Sequence, residues 1–546
     1  MRGAVSRPAI DLVSPLPPVR SGISDYCLDL LPELSSRADV RLVRLPDLPL
    51  DPALEERYEV IDVEAWRQDG RLSLYQMGNN RYHREVWRLA MERPGVLVLH
   101  DLVLHHFLID RTIREHDDHD AYRRELGECH GWVGEAASLP LQFPGGAGMA
   151  AQFSLPANRG LLERQLGVLV HSRWAAQMLL EDLPDLRVRT LSMGMPLPPA
   201  ADRGAGDDFR RRHGLPLDRP LLGSFGFQTP MKRTDVVIRA LGLDALRDVH
   251  LMVAGEVAEM LELEKEAQKA GAEDRVHILG FLPFEDFEAG IAACDVTLNL
   301  RHPTAGETSA SLLRILAVGR PVIVSDYAQS AELPDDGVIK VPPGQDPGGG
   351  GDDGGGGEER ALAERLEGLL ADPSALRRMG ERAREYIVRH HRLDDAAQAV
   401  VDACQAFGQG EPPSPSPVRV PPPTSLAWHR LEGEIHVDGA NLPWSPGERR
   451  RLRVHLRNTS DAVWLAGERP AGGVALEAKL IVGGQNLWRK RGWIGLPRDL
   501  APGEQHMLEL DLRRPLADDV RLELVPHVLD HTSLDELGGP RWVCAI

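Results

Sequence analysis

A repeated pattern, in which a short apolar strand, a glycine-containing turn and a helix follow one another, constrains the fold of this chain more than any other feature. The pattern is clearest where the apolar runs Asp295–Leu300 and Pro321–Ser325 flank a helical stretch that ends at Gly319. Glycine ends helices and proline cannot continue them, so we expect this helix to stop at Gly319. Two parallel strands joined through a helix form a βαβ unit, and the pattern therefore predicts an α/β fold.

The residues that open this helix are suited to an anion. Glu307 is followed by Thr308, Ser309 and Ala310, which are small or short residues at a predicted helix N-terminus. The free backbone N–H groups and the dipole at such an end favour a phosphate, and small side chains allow a diphosphate to come close. The segment therefore predicts a docking site for an activated sugar.

An earlier segment repeats this arrangement. The apolar strand that contains Leu222 leads into a turn at Gly226, and the helix that follows carries Lys232 and Arg233 near its start. An ammonium and a planar guanidinium together suit the distributed charge of a pyrophosphate. A solvated basic pair beside Asp235 is the alternative. The net charge of −19 should repel polyanions, so two cations at a strand end favour a local anion site over nucleic-acid binding.

The N-terminal half predicts a second domain of the same kind. Ala9–Val13 is a short strand, and the loop after it carries Ser21 and Gly22 just ahead of a helix predicted at Tyr26–Leu34. Open α/β sheets bind ligands at loops that follow the carboxyl end of the first strand. Gly22 is otherwise an ordinary residue before a helix.

Three further strands of this half end in polar residues. The polar groups that follow them are Asn79 with Asn80, His100 with Asp101, and His171 with Ser172. Because the carboxyl ends of parallel strands meet at one rim, this arrangement favours a cleft. A histidine that is hydrogen-bonded within the structure is the alternative for each histidine.

The two glycine-turn segments, in their order and spacing, resemble the donor-binding half of the family 4 retaining glycosyltransferases, which have the GT-B fold. The resemblance covers about residues 8–405. It implies two Rossmann-like domains facing across a cleft. It also implies a hexosyltransferase that moves a hexose, with mannose favoured by analogy, from a nucleotide-diphosphate sugar to a glycan or lipid-linked acceptor in polysaccharide biosynthesis. The family neutralises the leaving diphosphate with cations and a helix terminus, so no metal or other cofactor is expected.

The resemblance assigns roles to individual residues. The catalytic candidates are Lys232 and Arg233 at the diphosphate, Glu307 at the donor sugar and His100 near the reacting sugar. The donor-binding candidates are Ser21, Gly22, Gly226, Phe281, Leu282, Thr308, Ser309, Ala310 and Arg314. The candidates for acceptor or sugar contacts are Asn79, Asn80, Asp101, His171 and Ser172.

Several positions depart from the family pattern. Gly306 stands where the family has its first glutamate, with Glu307 one place on, and Met193 stands where the family commonly has a polar residue. The family has an arginine after the glycine of the first turn, where this chain has Phe227, and Arg233 is a candidate for the missing charge. The family has a second glutamate on the ribose, where this chain has Arg314. A guanidinium only donates hydrogen bonds, whereas a ribose diol also needs an acceptor, and an ion-paired helix residue is the alternative for Arg314. The departures at Phe227 and Arg314 keep a non-catalytic sugar-binding assembly protein open. Because a fold does not fix a reaction, nucleotide-sugar epimerisation or phosphorolysis on the same scaffold is open as well.

Two segments rich in glycine or proline divide the chain further. The predicted parts are an N-terminal domain at 1–195, a nucleotide-sugar-binding domain at 196–408 with a flexible Gly/Asp insertion at 344–357 and closing helices at 361–405, a Pro-rich linker at 409–425, and an accessory domain at 426–546. The accessory domain has short alternating strands with Pro-Gly turns, which predict an all-β sandwich similar to immunoglobulin-like modules. Its tryptophans can fill the sandwich core or stack on sugars, so a carbohydrate or protein partner is open for this domain; they are Trp444, Trp464, Trp488, Trp493 and Trp542.

Composition limits the remaining classes. The 546 residues are 42% hydrophobic, which predicts large buried cores. Neither a transmembrane stretch nor a signal-peptide core is discernible, so we expect a cytoplasmic protein, with peripheral contact at the inner membrane face left open. Five scattered cysteines without CxxC spacing predict reduced thiols. His116–Asp120 has metal-ligand residue types, but the arginines around it favour an ion-paired helix face.

Overall fold

The computed structural model describes most of the chain before the Pro-rich linker and parts of the chain after it. The described residues are 7–138, 149–199, 203–343, 357–415, 418, 424–425, 431–439, 443–467, 472–483, 485–486, 493–529, 533–534 and 539–546. They fall into two compact units, one from Met1–Arg111, Asn158–Pro343 and Glu358–Ser416, the other from Thr112–Ala157, Gly344–Gly357 and Pro417–Ile546.

The described strands of the first unit form two parallel sheets. The first sheet contains β1 (Ala9–Val13), β2 (Asp39–Val43), β3 (Glu59–Ile61), β4 (Leu72–Met77), β5 (Val96–Leu99), β6 (Gly167–Val170) and β7 (Val188–Thr190) in the order β3-β2-β1-β4-β5-β6-β7. The second contains β8 (Leu221–Phe225), β9 (His250–Ala254), β10 (Val276–Gly280), β11 (Val296–Asn299), β12 (Val322–Ser325) and β13 (Ile339–Val341) in the order β10-β9-β8-β11-β12-β13. These are the doubly wound orders of Rossmann-like domains.

The α-helices are, in chain order, α1 (Gly22–Arg37), α2 (Pro52–Arg57), α3 (Val63–Gln68), α4 (Arg84–Glu92), α5 (His105–Ile109), α6 (His119–His130), α7 (Trp132–Ser138), α8 (Met149–Ser154), α9 (Arg159–Leu162), α10 (Arg173–Asp182), α11 (Arg203–Arg212), α12 (Thr234–Leu241), α13 (Leu263–Ala270), α14 (Phe284–Ala293), α15 (Ala310–Val318), α16 (Gly357–Leu370), α17 (Pro373–His390) and α18 (Leu393–Phe407). Within the described ranges, no helix is both long and apolar enough to cross a bilayer.

The strand orders place the ligand edge of each sheet. The chain crosses from one side of the sheet to the other between β1 and β4 in the first sheet, and between β8 and β11 in the second. Ligands bind in open α/β sheets at such switch points, outside the carboxyl ends of the strands. Leu298 of β11 pairs with Ser224 of β8, so the loops that follow these two strands leave the sheet side by side.

Local sequence signals explain where the helices of the site begin and end. Ser309 caps the N-terminus of α15 by accepting from the backbone N–H of Leu312 at 3.3 Å. Gly319 ends α15 with φ of 84°, a left-handed conformation that glycine adopts without strain. The predicted helix stop at Gly319 is therefore confirmed. The helix predicted at Tyr26–Leu34 is longer, because Ser21 caps it ahead of Gly22.

The closing helix of the first unit returns to the first sheet. The backbone N–H of Met195 donates to the carbonyl of His391 at 3.0 Å, and His391 Nδ1 lies 2.9 Å from the carbonyl of Met193. A Cβ built on Gly167 of β6 would lie 2.3 Å from the ring of Phe407, so only glycine leaves room there for the end of α18.

The second unit contains two antiparallel sheets. They are built from β14 (Gly433–Asp438), β15 (Arg449–Asn458), β16 (Val474–Val482), β17 (Gln485–Asn486), β18 (Trp493–Gly495), β19 (Gln505–Arg513), β20 (Val520–Val528) and β21 (Trp542–Ala545). Val454 of β15 and Leu476 of β16 are both fully buried in one core, so side chains from the two sheets interdigitate. The predicted fold class, two Rossmann-like α/β domains and a C-terminal all-β region, is confirmed.

Predictions from the sequence also concern the tryptophans, the Gly/Asp insertion, the cysteines and the segment that contains His116. Trp444 and Trp464 are buried in the core of the antiparallel sheets, which matches the structural interpretation of these two residues. Trp488 and residues 344–356 of the Gly/Asp insertion lie outside the described residues. All five cysteines are free thiols. His116 is exposed ahead of α6, and no group of three or more His, Cys, Asp or Glu side chains in the described ranges is placed to hold a metal ion.

Candidate functional site

Lys232 lies beside the turn that follows β8. Its ammonium donates to the backbone carbonyl of Phe225. A Cβ built on Gly226 would lie 3.1 Å from Lys232 Nζ and 3.8 Å from Ser311 Oγ. Gly226 has φ of 83°, in the left-handed region that favours glycine. Because Gly226 has no side chain, nothing at this position crowds the Lys232 ammonium or the start of α15.

The Lys232 ammonium is held in a buried position. Lys232 is only 8% exposed. Burial, and then the charge of Arg301, hold the pKa of Lys232 well below its ordinary value, while Glu307 acts in the opposite direction. An anion that arrives beside this group favours its charged form, so the site is better suited to a phosphate than to a neutral ligand.

Glu307 is fixed by its neighbours in the turn ahead of α15. Its Oε1 lies 2.8 Å from Arg301 Nη1, and its Oε2 accepts from Thr304 Oγ1 at 3.0 Å. The Gln329 amide donates to the backbone carbonyl of Glu307 at 2.8 Å and to Thr304 Oγ1 at 2.9 Å. These bonds hold the carboxylate at one orientation, which a residue that positions sugar hydroxyls requires.

The start of α15 is organised by short polar side chains. Ser309 Oγ lies 3.0 Å from Ser311 Oγ, and the Asn299 amide donates to these two hydroxyls at 3.3 and 3.4 Å. Thr308 and Ala310 flank the capping residue. Because Ser311 is also close to the Gly226 turn, the positive end of the α15 dipole lies beside Lys232.

His100 and His171 form a buried chain of hydrogen bonds at the edge of the first sheet. A carbonyl only accepts, so His171 Nδ1 carries the proton that it donates to Leu191 O at 3.1 Å. His171 Nε2 then accepts from His100 Nδ1 at 3.2 Å. His100 Nε2 faces the side-chain amide of Gln76 at 2.8 Å. If the amide nitrogen of Gln76 faces the ring, it donates to His100 Nε2, and each hydrogen bond of the series then has one donor and one acceptor.

Both histidines are neutral at neutral pH. Burial, and then the neighbouring His171, hold the pKa of His100 well below its ordinary value, and burial lowers the pKa of His171 to about 4. Both ring nitrogens of His100 contact protein groups, so the geometry gives His100 a role in orienting His171. Its predicted contact with the reacting sugar stays a prediction.

Asp101 links the two sheet edges electrostatically. Its Oδ2 accepts from the backbone N–H of Asn79 at 2.7 Å. Burial, and then the charge of Glu307 in the second domain, raise the pKa of Asp101 to about 7. The backbone N–H of Val103 donates to the carbonyl of Ala305 at 2.9 Å, so the turn that carries Glu307 contacts the segment after β5 directly.

The other polar groups of the first sheet edge have local partners. Asn79 Oδ1 accepts from the backbone N–H of Phe107 at 2.9 Å, and Asn80 Oδ1 accepts from that of Tyr82 at 3.0 Å. Ser172 caps α10. The sugar or acceptor contacts predicted for these three residues stay predictions, and the observed bonds show that each also stabilises a turn or helix end.

Ser21, Gly22 and Arg314 lie around the N-terminal half of α1. Ser21 Oγ accepts from the backbone N–H of Ser24 at 3.1 Å, and a Cβ built on Gly22 would have no heavy atom within 4 Å. Arg314 Nη2 lies 3.5 Å from Asp29 Oδ2. Burial raises the pKa of Asp29 to about 6, although Arg314 acts in the opposite direction. This contact matches the ion-paired interpretation of Arg314, and its ribose contact stays a prediction.

Three further candidates, Arg233, Phe281 and Leu282, have neighbours other than Lys232. Arg233 has φ of 56° and pairs with Glu358, the second residue of α16. Phe281 is 59% exposed, under the guanidinium of Arg20 at 5.5 Å from the ring centroid, whereas Leu282 is buried in the core. Their predicted roles at the diphosphate and the donor stay predictions.

Arg301 is the main site residue that the sequence analysis missed. It follows β11 by two residues and contacts Glu307 and Ser309. The signal that identified His100, a polar residue after an apolar run, was also present here, because Arg301 directly follows the run Asp295–Leu300. Asn299, Ser311 and Gln329 were missed as well, because short polar residues near a helix start are common in any α/β domain.

One pocket of the first unit gathers residues from both sheets. Its lining includes His171, Ser172, Arg301, Glu307, Thr308 and Ser309. A carboxylate, a guanidinium and a helix N-terminus therefore share a pocket with neutral side chains of the first domain. This arrangement can hold an anionic group and a polyhydroxylated group next to each other.

Comparisons with known proteins support this chemistry for part of the chain. Residues 206–386 match the family of glycosyl transferases group 1. An alpha-D-kanosaminyltransferase of Streptomyces kanamyceticus is 27% identical over 206 residues, which are 37% of this chain and 49% of the relative. A 2-deoxystreptamine glucosyltransferase of the same organism is 27% identical over 165 residues, 30% of this chain and 40% of the relative. The chain thus spans about half the length of the curated relatives it matches.

A solved structure supports the fold. The sucrose-phosphate synthase of Thermosynechococcus elongatus superimposes with a TM-score of 0.52 at 17% identity, over 74% of this chain and 99% of the synthase. This likeness shows the architecture of the two Rossmann-like domains. The family match and the names of the two relatives support a transferase, and residues 206–386 are a group 1 glycosyltransferase domain of the GT-B type.

Proposed function

We propose that this chain is a retaining glycosyltransferase that moves a hexose from a nucleotide-diphosphate sugar to a glycan or lipid-linked acceptor. The observation that carries the proposal is the convergence of Lys232, the Gly226 turn and the start of α15 at the switch point between β8 and β11. A diphosphate at that point would meet an ammonium, backbone N–H groups and no obstructing side chain.

The proposed reaction follows from where charge develops. The bond between the anomeric carbon and the diphosphate oxygen breaks, and the departing diphosphate gains negative charge beside Lys232 and the α15 N-terminus. The acceptor oxygen bonds to the anomeric carbon on the same face, and its proton passes to the departing diphosphate. Glu307 orients the sugar hydroxyls during this exchange. No carboxylate nucleophile is required by this route.

The finer assignments belong to the same proposal. The glucosyltransferase among the relatives favours a hexose donor, and mannose is the hexose that the family resemblance favours. Polysaccharide assembly in the cytoplasm, at or near the inner membrane face, is the setting proposed for the acceptor. We propose that the C-terminal sheets form an immunoglobulin-like accessory domain that binds a carbohydrate or a protein.

We propose that neither a metal nor another cofactor takes part. Lys232 and the helix terminus supply positive charge where a divalent ion would otherwise act. Dialysis against a chelator should therefore leave turnover unchanged, as measured by release of the nucleoside diphosphate. A loss of turnover that returns with magnesium or manganese would contradict this part of the proposal.

Product analysis with labelled donors tests the function. Wild-type protein is incubated with radiolabelled UDP-glucose or GDP-mannose and a panel of glycan and lipid-linked acceptors, and Lys269→Gln, at an exposed lysine of α13, serves as the control variant. We expect label in an α-linked product with an α-configured donor. An isomerised sugar that is still attached to nucleotide would indicate an epimerase, and binding of the donor without turnover would indicate a non-catalytic sugar-binding protein.

A further inference from the structure

Arg301 occupies the position from which a second cation would reach the diphosphate. We infer that Arg301 contacts the departing diphosphate together with Lys232, in the role that Phe227 leaves unfilled; the inference rests on the proposed function and concerns the same site. Neither the family match nor the two relatives assign this residue.

A diphosphate carries at least two negative charges, so a second cation beside Lys232 and the helix terminus would hold it more firmly. The turn after β8 supplies only Lys232, since Phe227 is neutral and its ring is 55% exposed. Arg233 is turned toward Glu358 of α16. A further positive charge can come from the end of a neighbouring strand, and β8 lies between β9 and β11. Because β9 is followed by Gly255 and Glu256, we look to the end of β11.

The geometry of Arg301 suits this role. Its backbone N–H is fixed by Ser325 Oγ at 2.9 Å, and its side chain is 17% exposed. Nη1 contacts Glu307 and Nη2 contacts Ser309 Oγ at 3.3 Å. Nε is buried without a hydrogen-bond partner among the described residues. A buried N–H donor that lacks a partner costs free energy, which a ligand oxygen would recover.

Backbone contacts bring the segments of Arg301 and Lys232 together, because the backbone N–H of His302 donates to the carbonyl of Met231 at 2.9 Å. Burial lowers the pKa of Lys232 most, the charge of Arg301 lowers it further, and Glu307 acts with the opposite sign. Glu307 therefore balances Arg301 while the site holds no anion. An arriving diphosphate takes over part of that balance, and the guanidinium can offer two donors to its oxygens. No covalent bond to Arg301 forms in this step.

Titration of UDP and GDP by calorimetry tests the inference, with turnover measured in parallel. The variants are Arg301→Gln, Arg301→Lys, Arg233→Gln and the double variant Phe227→Arg/Arg301→Gln. Arg382→Gln, an exposed arginine of the same domain that pairs with Asp336, is the matched control. Thermal unfolding of each variant separates folding defects from binding defects.

We expect Arg301→Gln to bind the nucleoside diphosphates about 10- to 100-fold more weakly, because hydrogen bonds to charged groups contribute about 1.5–3 kcal/mol. Arg301→Lys should lose less. The double variant should regain most of the affinity, since its arginine occupies the exposed position of Phe227 beside the glycine turn. Affinity for the nucleoside diphosphates, measured against pH, should fall at alkaline pH as Lys232 loses its proton. In Arg301→Gln this fall should occur at higher pH, because the neighbouring positive charge that lowers the pKa of Lys232 is gone.

Three outcomes would overturn the inference. Affinities of folded Arg301→Gln equal to wild type would remove Arg301 from the diphosphate site. A weak double variant would assign Arg301 to holding Glu307 rather than to the ligand. Weakening by Arg233→Gln alone would restore Arg233 as the second cation. If wild type itself binds neither UDP nor GDP, the proposed function fails, and the inference fails with it.

Discussion

The carboxyl edges of the two parallel sheets differ in charge. At the edge of the first sheet, His100, His171 and Asp101 all have pKa values shifted by burial toward the neutral form. At the edge of the second sheet, Arg301 and Glu307 form an ion pair beside Lys232. We call these the neutral edge and the charged edge, and His171 of the first and Arg301 and Glu307 of the second line one pocket.

This difference suits two kinds of ligand. A sugar or an acceptor hydroxyl is neutral, and neutral hydrogen-bonding groups can hold it without competing charges. A diphosphate needs cations and backbone N–H groups that are fixed before it arrives. The comparison predicts that substitutions at the charged edge affect donor binding and turnover most strongly, whereas substitutions at the neutral edge change the pH dependence of stability.

Lys232→Gln should cause the largest effect. Removing the ammonium that stabilises charge on the departing diphosphate should lower kcat by about 100- to 1000-fold, as loss of one preorganised donor does in other enzymes. Steady-state kinetics with the labelled donor measure the effect. Lys269→Gln, which removes an exposed lysine paired with Glu266, should leave kcat unchanged. Equal kcat values for the two variants would contradict the assignment of the charged edge.

Glu307→Gln should separate sugar contacts from diphosphate contacts. The amide keeps the shape of the side chain but loses the charge that orients sugar hydroxyls and pairs with Arg301, so kcat/KM should fall by about 10- to 100-fold. Affinity for UDP or GDP should not weaken, because the sugar is absent from these ligands. Glu264→Gln on the exposed surface of α13 is the control. Weaker nucleoside diphosphate binding by Glu307→Gln would contradict this division.

His171→Gln should change the acid limb of stability. The pKa of His171 is about 4 in the folded protein, below the ordinary value of 6.5. The unfolded chain therefore takes up the proton first, and the stability that the neutral histidine contributes is lost as pH falls from 6.5 through 4. Thermal unfolding between pH 7 and 4 should show a smaller decline for the variant than for wild type. Parallel declines would indicate that His171 is not buried in its neutral form.

Asp101→Asn should change stability with the opposite sign. The pKa of Asp101 is raised to about 7 from the ordinary value of 3.8. Its contribution to stability is therefore complete below pH 3.8 and is lost as pH rises through about 7. The melting temperature of the variant relative to wild type should increase between pH 5 and 8. A difference that does not change with pH would place an ionised carboxylate at this position.

Arg314→Gln should have the smallest effect on stability. Its contact with Asp29 at 3.5 Å is long for an ion pair, and partly exposed pairs contribute about 0–1 kcal/mol. Chemical denaturation measures this change. The same variant decides between the two interpretations of Arg314, since an increase in donor KM of about tenfold or more would indicate a ribose contact, and an unchanged KM would indicate an ion pair only.

Elements with strong local signals could be predicted from the sequence. The strand Ala9–Val13 and the end of α15 at Gly319 were predicted at their observed positions. The alternating strands predicted for the accessory domain are present in the second unit, because apolar residues alternate along its longer strands. The short strands Gln485–Asn486 and Trp493–Gly495 were missed, since two or three residues carry no alternation.

Partners that are distant in sequence could not be predicted. Arg233 pairs with a glutamate 125 residues away, and His100 contacts a histidine 71 residues away. Composition near each residue gives no signal for such contacts, which depend on how the sheets pack. The candidate positions at the strand ends could therefore be found, but not which cation would face the pocket.

A crystal structure with a bound nucleoside diphosphate tests the central claim most directly. We expect phosphate oxygens within about 3 Å of Lys232 Nζ and of backbone nitrogens at the start of α15, which is ordinary hydrogen-bond distance. A diphosphate bound elsewhere in a protein that turns over the nucleotide sugar would contradict the account.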